Sequence, residues 1–300
     1  MTKTSKTIIF FGTDSFSAPA LTALIDAGYF VGAVVTKPDS RSGRGQQMTP
    51  PIVKTVALEH DIPVWQPEKL SDIADDISAL RQESGDLLGI LSSYGKIIPQ
   101  AIIDLFTPGI VNIHPSLLPK YRGPSPIETA IYNGDKQTGV SIMLLSAAMD
   151  AGPIYTQETY PLNGSETQTT LYKSLSAKGS ELLISVLPDI MSGSLAPTPQ
   201  QDDKATYTHL LKKSDALINP QSITAVEAER HIRAYLEFPK TKLTLSGQLV
   251  TVLKAHVGSE DALLPSVVCR NNTWLIVDEL TGPSGRKMSG KDFLNGYAAA

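Results

Sequence analysis

Five short apolar runs punctuate the first part of the chain: 7–11 (TIIFF), 31–36 (VGAVVT), 62–65 (IPVW), 86–92 (DLLGILS) and 110–114 (IVNIH). Helix-like stretches lie between several of them, at 18–27 (APALTALIDA), 50–60 (PPIVKTVALEH) and 71–82 (SDIADDISALRQ). Near-continuous apolar strands alternating with helices predict a mostly parallel, Rossmann-like α/β sheet with helices on both faces. Right-handed crossovers bring the carboxyl ends of such strands to one edge, where these sheets put their ligands. Farther along, a helix is expected at 125–133, primed by Pro124 and Pro126. Strands follow at 139–146 (GVSIMLLS) and 153–160, then a helix at 167–187 that stops before Pro188.

Residues 188–208 hold three prolines among small polar residues and read as a connection between domains. Beyond them, 221–236 (QSITAVEAERHIRAYL) is an amphipathic helix, and short strands are expected at 241–246, 248–257, 265–269, 273–278 and 279–282. That density of strands suggests a small antiparallel barrel of the oligonucleotide-binding (OB-like) type. The division expected is a catalytic domain over 1–190, a linker over 191–208 and a C-terminal domain over 209–300.

Composition narrows the class. With 300 residues, 41% hydrophobic and 19% charged, the chain is an ordinary soluble protein long enough for two cores. No run approaches the roughly 20 apolar residues of a membrane span, and MTKTSKTIIFFGTDS reads as a first strand, not a signal peptide. A single cysteine, Cys269, excludes an internal disulfide and fits a reducing cytoplasm. One Cys and five scattered His offer no metal-ligand spacing, so no metal is expected. Residues 1–190 carry 14 Lys+Arg against 19 Asp+Glu, and residues 209–300 carry 11 against 9. Either this is scatter or the C-terminal part meets something anionic, such as a nucleic acid backbone.

The first strand-to-helix turn, FFGTDSFSAP, has only Gly12 of the G-x-G-x-x-G pattern. A tight turn at Gly12 is the better reading, and dinucleotide binding is disfavoured.

The chemistry concentrates around IVNIH. Side chains alternate along a strand, so Asn112 and His114 point one way while Val111 and Ile113 point the other. An amide can donate to an oxygen that gains charge, and an imidazole can move a proton near neutral pH. A polar pair satisfied by backbone at a strand end would look the same. Asp150, in the turn AAMDAGP after the next strand, can hold the imidazole and stabilise its charged form. There is no Ser or Cys at an elbow motif. Asn, His and Asp together fit direct transfer of an acyl group to an amine through a tetrahedral intermediate.

NIHPSLLPKYRGPSPI, followed by GDKQTGVSIM and MDAGP, resembles the 10-formyltetrahydrofolate-dependent formyltransferases. The loop KPDSRSGRGQQMTPPIVK (37–54) is similar to one found in the members that act on initiator methionyl-tRNA, as are VWQPEKL, SSYGKIIP and MSGKDFL. The resemblance runs essentially end to end. It implies that Asn112 bonds the formyl oxygen, that His114 assists proton movement from the attacking amine and that Asp150 supports His114. Ser116, Leu117, Leu118 and Pro119 would line the folate site, and the backbone of Tyr94, Gly95, Lys96, Ile97 and Ile98 would wall the pterin. The implied reaction moves a formyl group from 10-formyltetrahydrofolate to methionine on initiator methionyl-tRNA, in a cytoplasmic monomer.

The 37–54 loop carries Lys37, Arg41, Arg44 and Lys54 against Asp39, with Gly43 and Gly45 beside Arg44. Composition alone favours a solvated surface loop; the resemblance implies that it wedges into the acceptor end of the tRNA. Lys120 and Arg122 could add phosphate contacts or be ordinary surface charges. Where the family has an Asn-Pro-Trp-Pro-like stretch, this chain has AYLEFPKTKL, and only NGYAAA follows MSGKDFL. Both departures bear on tRNA binding, not on the chemistry. Formylation of an amino sugar nucleotide, hydrolysis of a formyl-folate, and tRNA binding without catalysis remain the alternatives.

Overall fold

The apolar runs become strands of one sheet because each is too short for a helix and too apolar to face water. The computed structural model of the protein describes residues 6–42, 45 and 47–297. Its strands, in chain order, are β1 (Thr7–Gly12), β2 (Val31–Val35), β3 (Ser40–Ser42), β4 (Gln47–Thr49), β5 (Val64–Trp65), β6 (Leu87–Ser92), β7 (Ile110–His114), β8 (Gln137–Leu144) and β9 (Ile154–Pro161). Helices α1 (Ala18–Asp26), α2 (Ile52–Glu59), α3 (Ala74–Ser84), α4 (Gln100–Ile103), α5 (Pro126–Asn133) and α6 (Gln168–Ser192) intervene or follow. Two compact units result. The first takes the residues up to Arg122, Gly139–Tyr160 and Lys173–Tyr207; the second takes Gly123–Thr138, Pro161–Tyr172 and the chain from Thr208 on.

In the first unit the sheet order is β5-β2-β1-β6-β7-β8-β9. The five strands from β5 to β7 are parallel, and β8 joins β7 antiparallel. Mostly parallel is therefore the correct description. Side chains of β1 and β6 bury Ile9, Phe11 and Leu87 with Tyr94, Ile98, Ile102 and Phe106. Phe11 meets Tyr94 and Phe106 edge-on, with ring centroids 5.9 and 5.8 Å away. No helix among the described residues is long and apolar enough to cross a membrane.

Three local readings change. Helix α6 does not stop before Pro188 but runs to Ser192. Leu183, Leu187 and Ile190 keep its apolar stripe buried through the last turns, which outweighs the one backbone donor that proline lacks. A small antiparallel hairpin, β3–β4, forms within the glycine-rich loop where composition gave no strand pattern. Finally, the polar stretch after α6 is bonded to the first unit and is no free tether. Ile154 and Thr198 exchange backbone bonds of 2.8 Å, and Arg122 N–H donates to the Thr206 carbonyl at 2.9 Å.

The second unit builds on α7 (Ala225–Ala234), whose N-terminus carries a capping box between Thr224 and Glu227. Strands β10 (Lys242–Leu245), β11 (Gln248–Gly258), β12 (Ser266–Cys269), β13 (Thr273–Thr281) and β14 (Lys287–Ser289) form one antiparallel sheet, and α8 (Gly290–Tyr297) closes it. The two strands expected at 273–278 and 279–282 are the single strand β13. Asp278 and Glu279 interrupt the apolar run, but no Gly, Pro or turn falls there, so the strand continues to Thr281. β13 pairs with β11 along one side and with β12 and then β14 along the other. Ala228 and Ile232 of α7 pack with Leu243, Val250, Val252, Leu275, Val277 and Phe293.

Candidate active site

β7 delivers two polar side chains to the carboxyl edge of the sheet. Asn112 lies level with Leu91 of β6 and Met143 of β8, and His114 with Ser141 of β8. Sandwiched between two strands, both are almost buried, 5% and 4% exposed. Among the described residues the Asn112 side-chain amide has no hydrogen-bond partner. The amide is not among the fully enclosed unpaired polar atoms, so it stands at the open end of the strand, accessible to a bound group. A fold that keeps one there is suited to a bound group that completes it.

His114 is oriented from one side. Its Nε2 lies 3.0 Å from the Tyr121 carbonyl, which can only accept, so Nε2 carries the hydrogen. Nδ1 is then the open nitrogen, and it faces Asp150 Oδ2 at 3.7 Å. That separation is too long for a hydrogen bond and short enough for an ion pair once Nδ1 gains a proton. The structure thus brings Asn112, His114 and Asp150 to one place. Tyr121 was not legible as a site residue, because it acts through a backbone carbonyl that leaves no side-chain signal.

The turn that carries Asp150 is specialised. Asp150 itself is left-handed, with φ 46°, a conformation in which Asp is tolerated. Two residues on, a Cβ added at Gly152 would stand 1.8 Å from the Leu144 carbonyl oxygen. Only glycine lets the turn fold back onto the end of β8.

The residues expected to meet a folate divide between backbone and side chain. Ser116 Oγ donates to the Lys120 carbonyl at 2.6 Å, and Leu118 is 4% exposed. Leu117 packs against Gly139, and Pro119 is half-buried. The Leu118 carbonyl and the Ser141 hydroxyl are tied together by Gln157 at 2.9 and 2.8 Å. The side chains of SLLP therefore build the turn itself. In the other segment Tyr94 and Ile98 point into the core, and burial pushes the Tyr94 hydroxyl up to about 12. Lys96 Nζ donates to the carbonyls of Pro67 and Glu68, and Gly95 is left-handed under Lys37. Ile97 alone stands out, 84% exposed. Backbone groups and one apolar side chain are what this segment offers a flat ring, together with exposed Met149 beside Asp150.

Of the cations in the 37–54 loop, Arg41 is exposed on β3 and Lys37 is half-buried, while Gly45 is exposed in the turn. Gly43 and Arg44 lie outside the described residues. Lys54 is committed elsewhere: Nζ is 2.9 Å from both Asp39 oxygens and 2.8 Å from Gln66 Oε1. Gln66 in turn donates to Asp39 and to the Lys37 carbonyl, both at 2.8 Å. These bonds hold the Asp39 carboxyl below its usual range, Gln66 foremost and Lys54 next. The base of the hairpin is pinned and the effective positive charge of the loop is smaller than its composition suggests. Arg122 is no surface charge either, being 2% exposed.

Among the described residues no cluster of His, Cys, Asp and Glu could hold a metal ion. The sequence profile described as "Formyl transferase" matches residues 5–187, and that described as "Formyl transferase, C-terminal domain" matches residues 210–298. A methionyl-tRNA formyltransferase of Chloroflexus aurantiacus is 39% identical over 306 residues, covering 97% of each chain. One of Lactobacillus acidophilus is 38% identical over 304 residues, 97% of this chain and 96% of its own. In three dimensions the chain is similar to HypX of Aquifex aeolicus in complex with tetrahydrofolic acid, with a TM-score of 0.67 and 16% identity. That alignment covers 99% of this chain and 48% of HypX, so this chain spans about half the length of that protein. Over both units the chain belongs to the formyl transferase family, on the branch of the methionyl-tRNA formyltransferases.

Proposed function

We propose that this chain transfers the formyl group of 10-formyltetrahydrofolate to the amino group of methionine on initiator methionyl-tRNA, in the cytoplasm. The observation that carries the chemistry is the Asn112 amide, without a hydrogen-bond partner among the described residues, on the same face of β7 as His114, whose open Nδ1 faces Asp150. The choice of acceptor rests on the relatives, which share this chain's full length and bear the name methionyl-tRNA formyltransferase.

The folate fits what the site offers: an amide without a partner, exposed Ile97 and Met149, and turn backbone at 94–98 and 116–119. When bound, it supplies a formyl group that an amine can attack. Asn112 donates from its amide to the formyl oxygen as that oxygen gains charge. His114 Nδ1 collects the proton released by the attacking amine, because Nε2 is already occupied by the Tyr121 carbonyl. The Asp150 carboxylate stabilises the imidazolium so formed and holds the ring's orientation. His114 then returns that proton to the folate nitrogen as the bond from that nitrogen to the formyl carbon breaks. Arg41, with Lys37, Gly43, Arg44 and Gly45 of the same loop, serves the tRNA acceptor end. The C-terminal sheet acts as an OB-like tRNA-binding domain, and the protein works as a monomer.

The test uses purified protein, the formyl donor and either charged initiator tRNA or an amino sugar nucleotide. Formyl-methionine on the tRNA is expected. Label on the sugar nucleotide and never on the tRNA would overturn the choice of acceptor. Tight tRNA binding with no transfer to either would overturn the enzymatic reading.

A further inference from the structure

The segment after α6, which composition reads as a linker, holds both partners of the His–Asp pair. At one end Gln200 Nε2 donates to the carbonyl of Asp150 at 2.8 Å and to that of Gly152 at 2.7 Å. One amide thus spans the left-handed turn on which the Asp150 carboxylate is mounted. The same side chain's Oε1 accepts from Arg122 Nε at 3.0 Å and Nη2 at 2.8 Å. This fixes the amide's orientation, since a flip would set an oxygen against two carbonyls and an NH2 against a guanidinium. Arg122 is itself immobilised, donating to Asp202 Oδ1 at 2.6 Å and to the Tyr207 hydroxyl at 3.3 Å.

At the other end the segment grips the residue that orients His114. Thr206 Oγ1 accepts from the Tyr121 N–H at 2.9 Å, and the Thr206 carbonyl accepts from Arg122 N–H at 2.9 Å. Tyr121 is left-handed, with φ 62°, and its carbonyl holds Nε2 of His114. His114 ends β7 and Asp150 sits in the turn between β8 and β9, and at 3.7 Å they are too far apart for a hydrogen bond. Alongside the pairing of β7 with β8, one continuous connection among the described residues joins the two mounts, running Asp150–Gln200–Arg122–Tyr121–His114.

We propose that residues 200–207 are a clamp that sets the His114–Asp150 separation, with Gln200 as its positioning residue for formyl transfer. Gln200 touches no reacting atom. It acts through Asp150, and the assignment rests on the functional reading above. The segment is therefore part of the active-site frame, and a change of length or of hydrogen-bonding capacity within 200–207 alters turnover, not substrate affinity.

Gln200→Glu isolates the clamp, because the carboxylate still accepts from Arg122 but donates to neither carbonyl. A misplacement of about 1 Å in a catalytic pair can cost about 10²-fold. We expect kcat to fall by about 10- to 100-fold with KM for folate and for tRNA within about twofold. In an Asp150→Asn background the same change is expected to add less than about twofold, since its effect passes through the carboxylate. Gln200→Met, close in volume and uncharged, repeats the test if the glutamate variant does not fold. An equal loss in both backgrounds, a loss confined to KM, or full activity would each overturn the clamp. Failure of both variants to fold would do so too, by making Gln200 a support of the whole unit. Wild-type protein that transfers no formyl group would instead refute the functional reading, which keeps the two failures apart.

Discussion

At the residue scale, strand alternation alone put Asn112 and His114 on one face, because a period of two leaves no freedom once β7 is paired on both sides. Asp150 is read from its place in the turn after the next strand, and the resemblance implies the same role; its distance from His114 depends on how β8 turns back, which spacing does not fix. Gln200 and the Tyr121 carbonyl were invisible for a different reason: a glutamine in a polar run and a backbone oxygen carry no pattern. Gly152 was equally silent, although its lack of a Cβ allows the turn. Gly152→Ala would push a methyl into the Leu144 carbonyl, 1.8 Å away. Thermal melting should show a loss of about 1–3 kcal/mol or more, with turnover reduced beyond what residual folding explains. Wild-type stability in this variant would show that the turn relaxes freely.

At the element scale, apolar runs were sufficient to locate the central strands β1, β2, β6 and β7, which are buried on both faces. Elements held by context were missed. The β3–β4 hairpin depends on the Asp39–Lys54–Gln66 anchor outside it, and the end of α6 depends on packing that overrides Pro188. In α7 a buried histidine supplies a pH test. His231 donates from Nδ1 to Thr241 Oγ1 at 2.8 Å while that hydroxyl donates to the His231 carbonyl at 3.2 Å. Burial lowers its pKa from the ordinary 6.5 to about 4. Between those values the unfolded chain binds the extra proton, so stability falls as pH drops from 6.5 toward 4 and is level above that window. The slope is at most about 1.4 kcal/mol per pH unit. Denaturant unfolding across pH 4–7 should show it in wild type and not in His231→Gln. The same slope in both proteins would place its origin elsewhere.

At the scale of the whole molecule, the excess of acidic residues in the first 190 was readable by counting, whereas the two compact units interleave along the chain in a way that composition does not show. What counting could not show is which cations are already spoken for. Lys54 and Arg122 are both held internally, whereas Arg41 is exposed. Binding to initiator tRNA should therefore weaken with salt, and Arg41→Ala should lower the slope of log K against log salt by about one. An unchanged slope would remove Arg41 from the nucleic acid contact. Lys54→Met, by contrast, should disturb the hairpin base more than the slope.

Everything catalytic depends on a single amide that the protein leaves unsatisfied. The most direct measurement is the single-turnover rate of formyl transfer by Asn112→Ala, taken with the folate dissociation constant of the same protein. A rate lowered by about 10²–10³-fold at nearly unchanged folate affinity is expected for the loss of one donor to a developing oxyanion. A wild-type rate, or a loss accounted for entirely by weaker folate binding, would contradict the role assigned to Asn112.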